Sequence, residues 1–190
     1  MACCIMRRVT YWRYVCKMIE LVLGGARSGK SRYAEQQALS SARQVVYIAT
    51  GQAGDEEMEQ RIAHHRQRRP ADWQTVEEPY LLADCIRQFA SPEHCLLIDC
   101  LTLWLTNVLF DRQGHVQQAF FQQQRQALLE TLTDCRQTIL LVSNEVGLGI
   151  VAADAMTRRF VDEAGFLHQD LAKVCDHVTF VTAGLPQRLK

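Results

Sequence analysis

The chain has 190 residues, 48% of them hydrophobic and 22% charged, with 21 basic and 21 acidic side chains. That length suits one compact domain. A formal net charge of zero argues against a globally basic nucleic-acid binder and against attraction to an acidic membrane surface.

Residues 1–17, MACCIMRRVTYWRYVCK, lack the continuous apolar stretch of a signal peptide and read as an extension outside the fold. The domain is expected over 18–190. Short apolar runs then alternate with longer helical patterns. A strand is predicted at Ile19–Leu23, a helix at 30–42, a strand at Val45–Ala49, and helices at 55–68 and 80–90. A strand at Cys95–Ile98 follows, then a helix at 103–133 interrupted near Gly114. Last come a strand at Thr138–Val142, a helix at 154–174 and a strand at Val178–Val181. The strands are continuous apolar runs, as expected where helices cover both faces of a sheet. The alternation predicts an α/β fold with a mostly parallel sheet flanked by helices. No apolar run reaches the ~18 residues of a membrane span. The eight cysteines form no CxxC pair and read as buried thiols in a reducing cytoplasm.

In such a sheet, ligands gather at the carboxyl ends of the strands. Gly24-Gly25-Ala26-Arg27-Ser28-Gly29-Lys30-Ser31 leaves the first strand and matches GxxxxGK[ST] in full, between an apolar strand and a helix pattern. Glycines let successive N–H groups fold around an anion, and the helix adds the positive end of its dipole. Lys30 is expected on the β- and γ-phosphates, and the Ser31 hydroxyl on Mg²⁺. A nucleoside triphosphate is the expected ligand. A second magnesium-holding carboxylate on a neighbouring strand is expected at Asp99, at the end of Leu96-Leu97-Ile98-Asp99. The plainer reading of Asp99 is a cap on the next helix, and the two roles are compatible.

The segment Gln60 to Pro70 sets His64 and His65 among Arg61, Arg66, Arg68 and Arg69. Neutral imidazole attacks phosphorus, and arginines hold polyphosphate. Met58, Ile62 and His65 share one helical face, which turns His65 toward the domain and His64 away. A solvated basic helix is the commoner source of such a run. Aromatic residues are not interleaved with the arginines, so nucleic-acid binding is not expected.

Five segments in order, GGARSGKSRYAE, VVYIATGQ, RIAHHRQRRPADWQTVEEP, LLIDCLTLWLTNVLF and VSNEVGLGIV, resemble the bifunctional adenosylcobinamide kinase and adenosylcobinamide-phosphate guanylyltransferases. The resemblance runs from Met18 to the C-terminus. It implies a RecA-like P-loop core, a cytoplasmic homotrimer, and adenosylcobinamide and its phosphate as substrates. It implies two reactions: phosphorylation by ATP or GTP, then guanylylation by GTP through a histidine-bound GMP, assigned to His65. Guanine-nucleotide contacts are implied at Thr50, Gly51, Gln52, Arg66, Gln67, Arg68, Arg69, Glu77 and Asp99. Two positions depart from the family pattern: Ala152 stands where Pro is frequent, and His168 where Asn is usual.

Overall fold

A β-rich run with apolar residues at every position needs cover on both faces, and that demand organises this chain. The computed structural model describes residues 17–52 and 70–190. Within them the strands are β1 (Met18–Gly24), β2 (Gln44–Ala49), β3 (Gln74–Glu77), β4 (His94–Asp99), β5 (Thr138–Asn144), β6 (His177–Thr182) and β7 (Leu185–Arg188). The helices are α1 (Lys30–Ser40), α2 (Leu82–Gln88), α3 (Leu101–Leu109), α4 (Gln118–Asp134) and α5 (Ala155–Val174). The sheet order is β3-β2-β4-β5-β1-β6-β7, parallel throughout except for β7.

Side chains alternate between two cores. Ile19, Leu21, Val46, Ile48, Leu96, Ile98, Ile139 and Leu141 face the larger one, under α2 to α5. Val22, Val45, Tyr47, Cys95, Leu97, Leu140 and Val142 face the smaller one, where Ala34 and Ala38 let α1 lie close. Each fully buried Leu, Ile or Val here contributes about 1.5–3 kcal/mol relative to an exposed one. The five cysteines of the described residues are free and buried. Burial pushes the thiols of Cys85 and Cys95 up to about 11 and that of Cys175 to about 12, so they remain neutral packing groups.

The five predicted strands form, each with small shifts at its ends. The predicted break in the helix over 103–133 is wider than one residue. After Leu109 the chain makes a short bridge between Phe110 and Val116, and Gly114 turns it at φ 84°. Two strands carried no apolar signal. β3 reads Gln-Thr-Val-Glu and is half-exposed at best, whereas β7 is wholly exposed and contains Pro186. Proline is tolerated there because β7 is an edge strand. The helix expected over 55–68 lies outside the described residues. At the other boundary, the Lys17 ammonium donates to Leu132 O (3.3 Å) and Thr133 O (3.1 Å), capping the end of α4.

Candidate active site

β1 ends at Gly24, and the turn that follows has room for no other residue there. A Cβ on Gly24 would stand 2.5 Å from both Ser28 Oγ and Val181 O. Ser28 N donates to Gly25 O (3.2 Å), Arg27 takes a left-handed φ of 56°, and Gly29 stands at the N-cap of α1 at φ 95°. The β6–β7 turn braces the loop from outside, with Gly184 N donating to Ser28 O at 2.8 Å. The result is a tight loop feeding a helix N-terminus, which is an anion cradle. Ser28 Oγ is buried against Gly24 and has no hydrogen-bond partner. Gly25 lies half-buried beside it, and the Ala26 and Arg27 side chains are exposed at its rim.

Lys30 opens α1 and is buried, with Nζ donating to Gly25 O at 3.2 Å. Burial lowers its pKa, and the negative charge of Asp99 pulls it back up. Ser31, half-buried, stands next to it in the first turn. Asp99 comes from β4, which β5 separates from β1; it is thus two strands from the cradle rather than one. At roughly 4.8 Å per strand that is about 10 Å between backbones, a gap for a phosphate and a hydrated ion. Asp99 does not cap α3, whose first residue has no side-chain cap. Its Oδ2 instead accepts from the Tyr47 hydroxyl at 3.0 Å. Ser31 and Asp99 supply oxygen ligands only, and no cluster of three metal-binding side chains occurs among the described residues. That donor set fits Mg²⁺, which keeps water and phosphate oxygens in most of its sites.

The exits of β2 and β3 make a second group. Glu77 and Ala49 are in register, and Ala49 is in register with Asp99. Glu77 therefore sits four strands from β1, roughly 19 Å away at 4.8 Å per strand. Gln52 accepts from the Tyr80 hydroxyl at 3.2 Å. Gly51 lies against Leu103, where a Cβ would come within 3.0 Å. The Thr50 side chain faces inward: it is fully buried and donates to Cys100 O at 2.7 Å. Its carbonyl accepts from Asn107 Nδ2 at 2.9 Å. Thr50 thus pins the β2 exit to α3, and only its neighbours remain open to a ligand. The sequence signal for Asn107 was its place in Leu103-Trp104-Leu105-Thr106-Asn107, a polar residue inside an apolar helix. His65, Arg66, Gln67, Arg68 and Arg69 lie outside the described residues.

Comparison with known proteins decides the family. A profile described as cobinamide kinase / cobinamide phosphate guanyltransferase matches residues 20–189. The chain belongs to that family. It is 55% identical over 175 residues to the bifunctional adenosylcobalamin biosynthesis protein CobP of Pseudomonas aeruginosa, covering 91% of this chain and 98% of that protein. It is 40% identical over 182 residues to CobU of Escherichia coli, covering 91% of this chain and all of that protein. Among solved structures, an ATPase domain superposes with a TM-score of 0.50 at 16% identity, over 86% of this chain and 69% of that one. That likeness concerns the fold alone. This family member is accordingly an enzyme of adenosylcobalamin biosynthesis, a kinase and guanyltransferase.

Its site holds a polar relay that sequence reading did not join up. Ser143, at the end of β5, is fully buried, and its Oγ lies 2.7 Å from Nε2 of His168 on α5. The other ring nitrogen faces Glu145 Oε2 at 3.9 Å. The carboxylate favours a proton on Nδ1, so the Ser143 hydroxyl donates to Nε2. Glu145 Oε1 accepts from Gly147 N at 2.6 Å, and Glu145 N donates to Gly24 O at 3.0 Å. Asn144, paired in register with Gly24, donates through Nδ2 to Thr102 Oγ1 at 2.9 Å. These residues tie the exit of β5 to the cradle. The departure at His168 was visible in the sequence, but its partner lay 25 residues away.

Proposed function

We propose that Gly24–Ser31 holds the triphosphate of ATP or GTP while the hydroxyl of the adenosylcobinamide side arm attacks the γ-phosphorus. The bond to the β–γ bridging oxygen breaks, the nucleoside diphosphate leaves, and the acceptor proton goes to solvent. Lys30 neutralises charge that builds on the β- and γ-oxygens, and the amides of the cradle do the same without moving. Ser31 and Asp99 would hold Mg²⁺, which supplies further charge neutralisation on those oxygens when bound. The observation that carries this reading is the braced Gly24–Ser31 loop with buried Lys30 and Asp99 across it.

The second reaction uses GTP at its α-phosphorus. His65 attacks, pyrophosphate leaves, and the GMP passes from the imidazole to the phosphate of the first product, giving adenosyl-GDP-cobinamide. Arg66, Gln67, Arg68 and Arg69 contact the guanine nucleotide, together with Gly51, Gln52 and Glu77. The spread of the two groups across the sheet supports adjacent subsites for the two reactions. The working form is a cytoplasmic homotrimer that acts on the corrinoid and on no nucleic acid. No helix among the described residues is long and apolar enough to cross a membrane.

Incubation with GTP labelled at the α-phosphorus tests the covalent step. The expected product is protein-bound label that survives base and is lost in acid, as a phosphoramidate is. Substituting His65→Ala abolishes the label and leaves cobinamide phosphorylation in place. Label that survives in His65→Ala and disappears in His64→Ala moves the nucleophile to His64. Absence of label in the wild-type chain leaves a kinase alone.

A further inference from the structure

The loop between β5 and α5 is fixed at both ends and apolar at its tip. Its first residue is held by the hydrogen bond from Glu145 N to Gly24 O and by the His168 and Gly147 contacts of the Glu145 carboxylate. Its last residues are held where Asp154 caps α5, accepting from Thr157 N at 2.7 Å, and where Arg158 Nη1 donates to Ala152 O at 2.9 Å. Between these anchors, Leu148 is 80% exposed, Ile150 101% and Val151 80%. Met156, on the first turn of α5, is exposed as well. Aliphatic side chains scattered singly over a surface need no explanation, but a cluster on one anchored loop does.

Position supplies it. The loop rises from the carboxyl edge of the sheet at the strand next to β1, where Asn144 and Gly24 are paired in register. A phosphoryl acceptor must approach the cradle from this edge. We propose that Leu148, Ile150 and Val151 form the docking lip for the acceptor, receiving the broad apolar face of a corrin ring so that its side arm reaches the γ-phosphate. The inference rests on the cobinamide kinase activity proposed above. A corrin matches the lip in its chemistry: a wide macrocycle whose faces carry methyl groups and whose amides project from the rim. Anchors at both ends limit the conformations open to the loop, which lowers the ordering cost of binding.

Binding and turnover separate this inference from the reading beneath it. Adenosylcobinamide is bound to wild-type protein and to Leu148→Ser, Ile150→Ser and the Ile150→Ser/Val151→Ser double variant by equilibrium dialysis, without nucleotide. Melting temperature, Kd for ATP and native mass are measured on the same samples. The expected result is a corrinoid Kd raised about tenfold or more in the double variant, since exposed apolar area is what it removes. The Kd for ATP and the native mass are expected to stay unchanged. Unaltered corrinoid binding in all variants overturns the lip, whatever the turnover. A lower native mass with corrinoid binding retained also overturns it and assigns the loop to contact with a second copy of the chain. If the wild-type protein binds the corrinoid through this loop but fails to phosphorylate it, the kinase reading fails and the lip stands.

Discussion

Lys30 and His168 are both bases that burial pushes toward neutrality, and what faces each decides its charge. For Lys30, loss of water around the amine lowers the pKa, and the opposite charge on Asp99 works against that loss. His168 starts at 6.5, and burial lowers it further, with Glu145 pulling upward as the smaller effect. The ring is therefore neutral near pH 7, as its contact with the Ser143 hydroxyl requires. Its folded pKa lies below the unfolded one, so on acidification the unfolded chain takes up the proton first. The stability that this site contributes is full above 6.5 and declines as pH falls through and below that value. The substitution His168→Gln keeps an acceptor for Ser143 but does not titrate. Thermal melts from pH 7.5 to pH 5 should fall less steeply for His168→Gln than for the wild-type chain. Parallel slopes would remove His168 from the acid sensitivity of the fold.

At the scale of elements, the cradle depends on packing between β1, the β6–β7 turn and the start of α1. Gly24 and Gly25 are neighbours in sequence with opposite tolerance. A Cβ on Gly24 meets the backbone carbonyl of Val181 at 2.5 Å, and backbone in the middle of a sheet cannot retreat; a Cβ on Gly25 meets nothing within 4 Å. Gly24→Ala should cost about 1–3 kcal/mol of stability, the usual range for overpacking, and should weaken triphosphate binding as well. Gly25→Ala should stay within about 0.5 kcal/mol of wild type, because the added methyl enters open space. Chemical denaturation of the two variants side by side checks the contrast. The GxxxxGK[ST] pattern told of the loop but not of this asymmetry, which arises from Val181, more than 150 residues further along the chain. The central strands were legible for a related reason: their apolar runs record burial on both faces. β3 and β7 were not, since edge strands are held by backbone pairing and their side chains carry no periodic signal. Thr50 misled for a different reason, because a threonine at a strand exit looks the same whether its hydroxyl turns to a ligand or, as here, to Cys100 O.

The whole molecule sets the distance between its two groups of polar strand exits. β5 and β4 intervene between the cradle on β1 and the exit of β2, and β3 lies one strand beyond. A nucleotide triphosphate seated on Lys30 is thus far from Glu77, roughly 19 Å at 4.8 Å per strand. If the two reactions use adjacent subsites, their sensitivities should separate. Lys30→Ala should lower cobinamide phosphorylation by about a thousandfold, the scale for losing a charge that acts in the transition state. Glu77→Ala should leave phosphorylation within about twofold of wild type, yet slow the transfer of α-labelled GMP onto the protein. The two rates are measured on the same preparations, with ATP as phosphoryl donor and labelled GTP as guanylyl donor. Equal loss of both rates in Glu77→Ala would mean that one nucleotide position serves both steps. Separate losses would show that the sheet, by spacing its strand exits, keeps the phosphate-transferring end apart from the guanylyl-transferring end while one acceptor visits both.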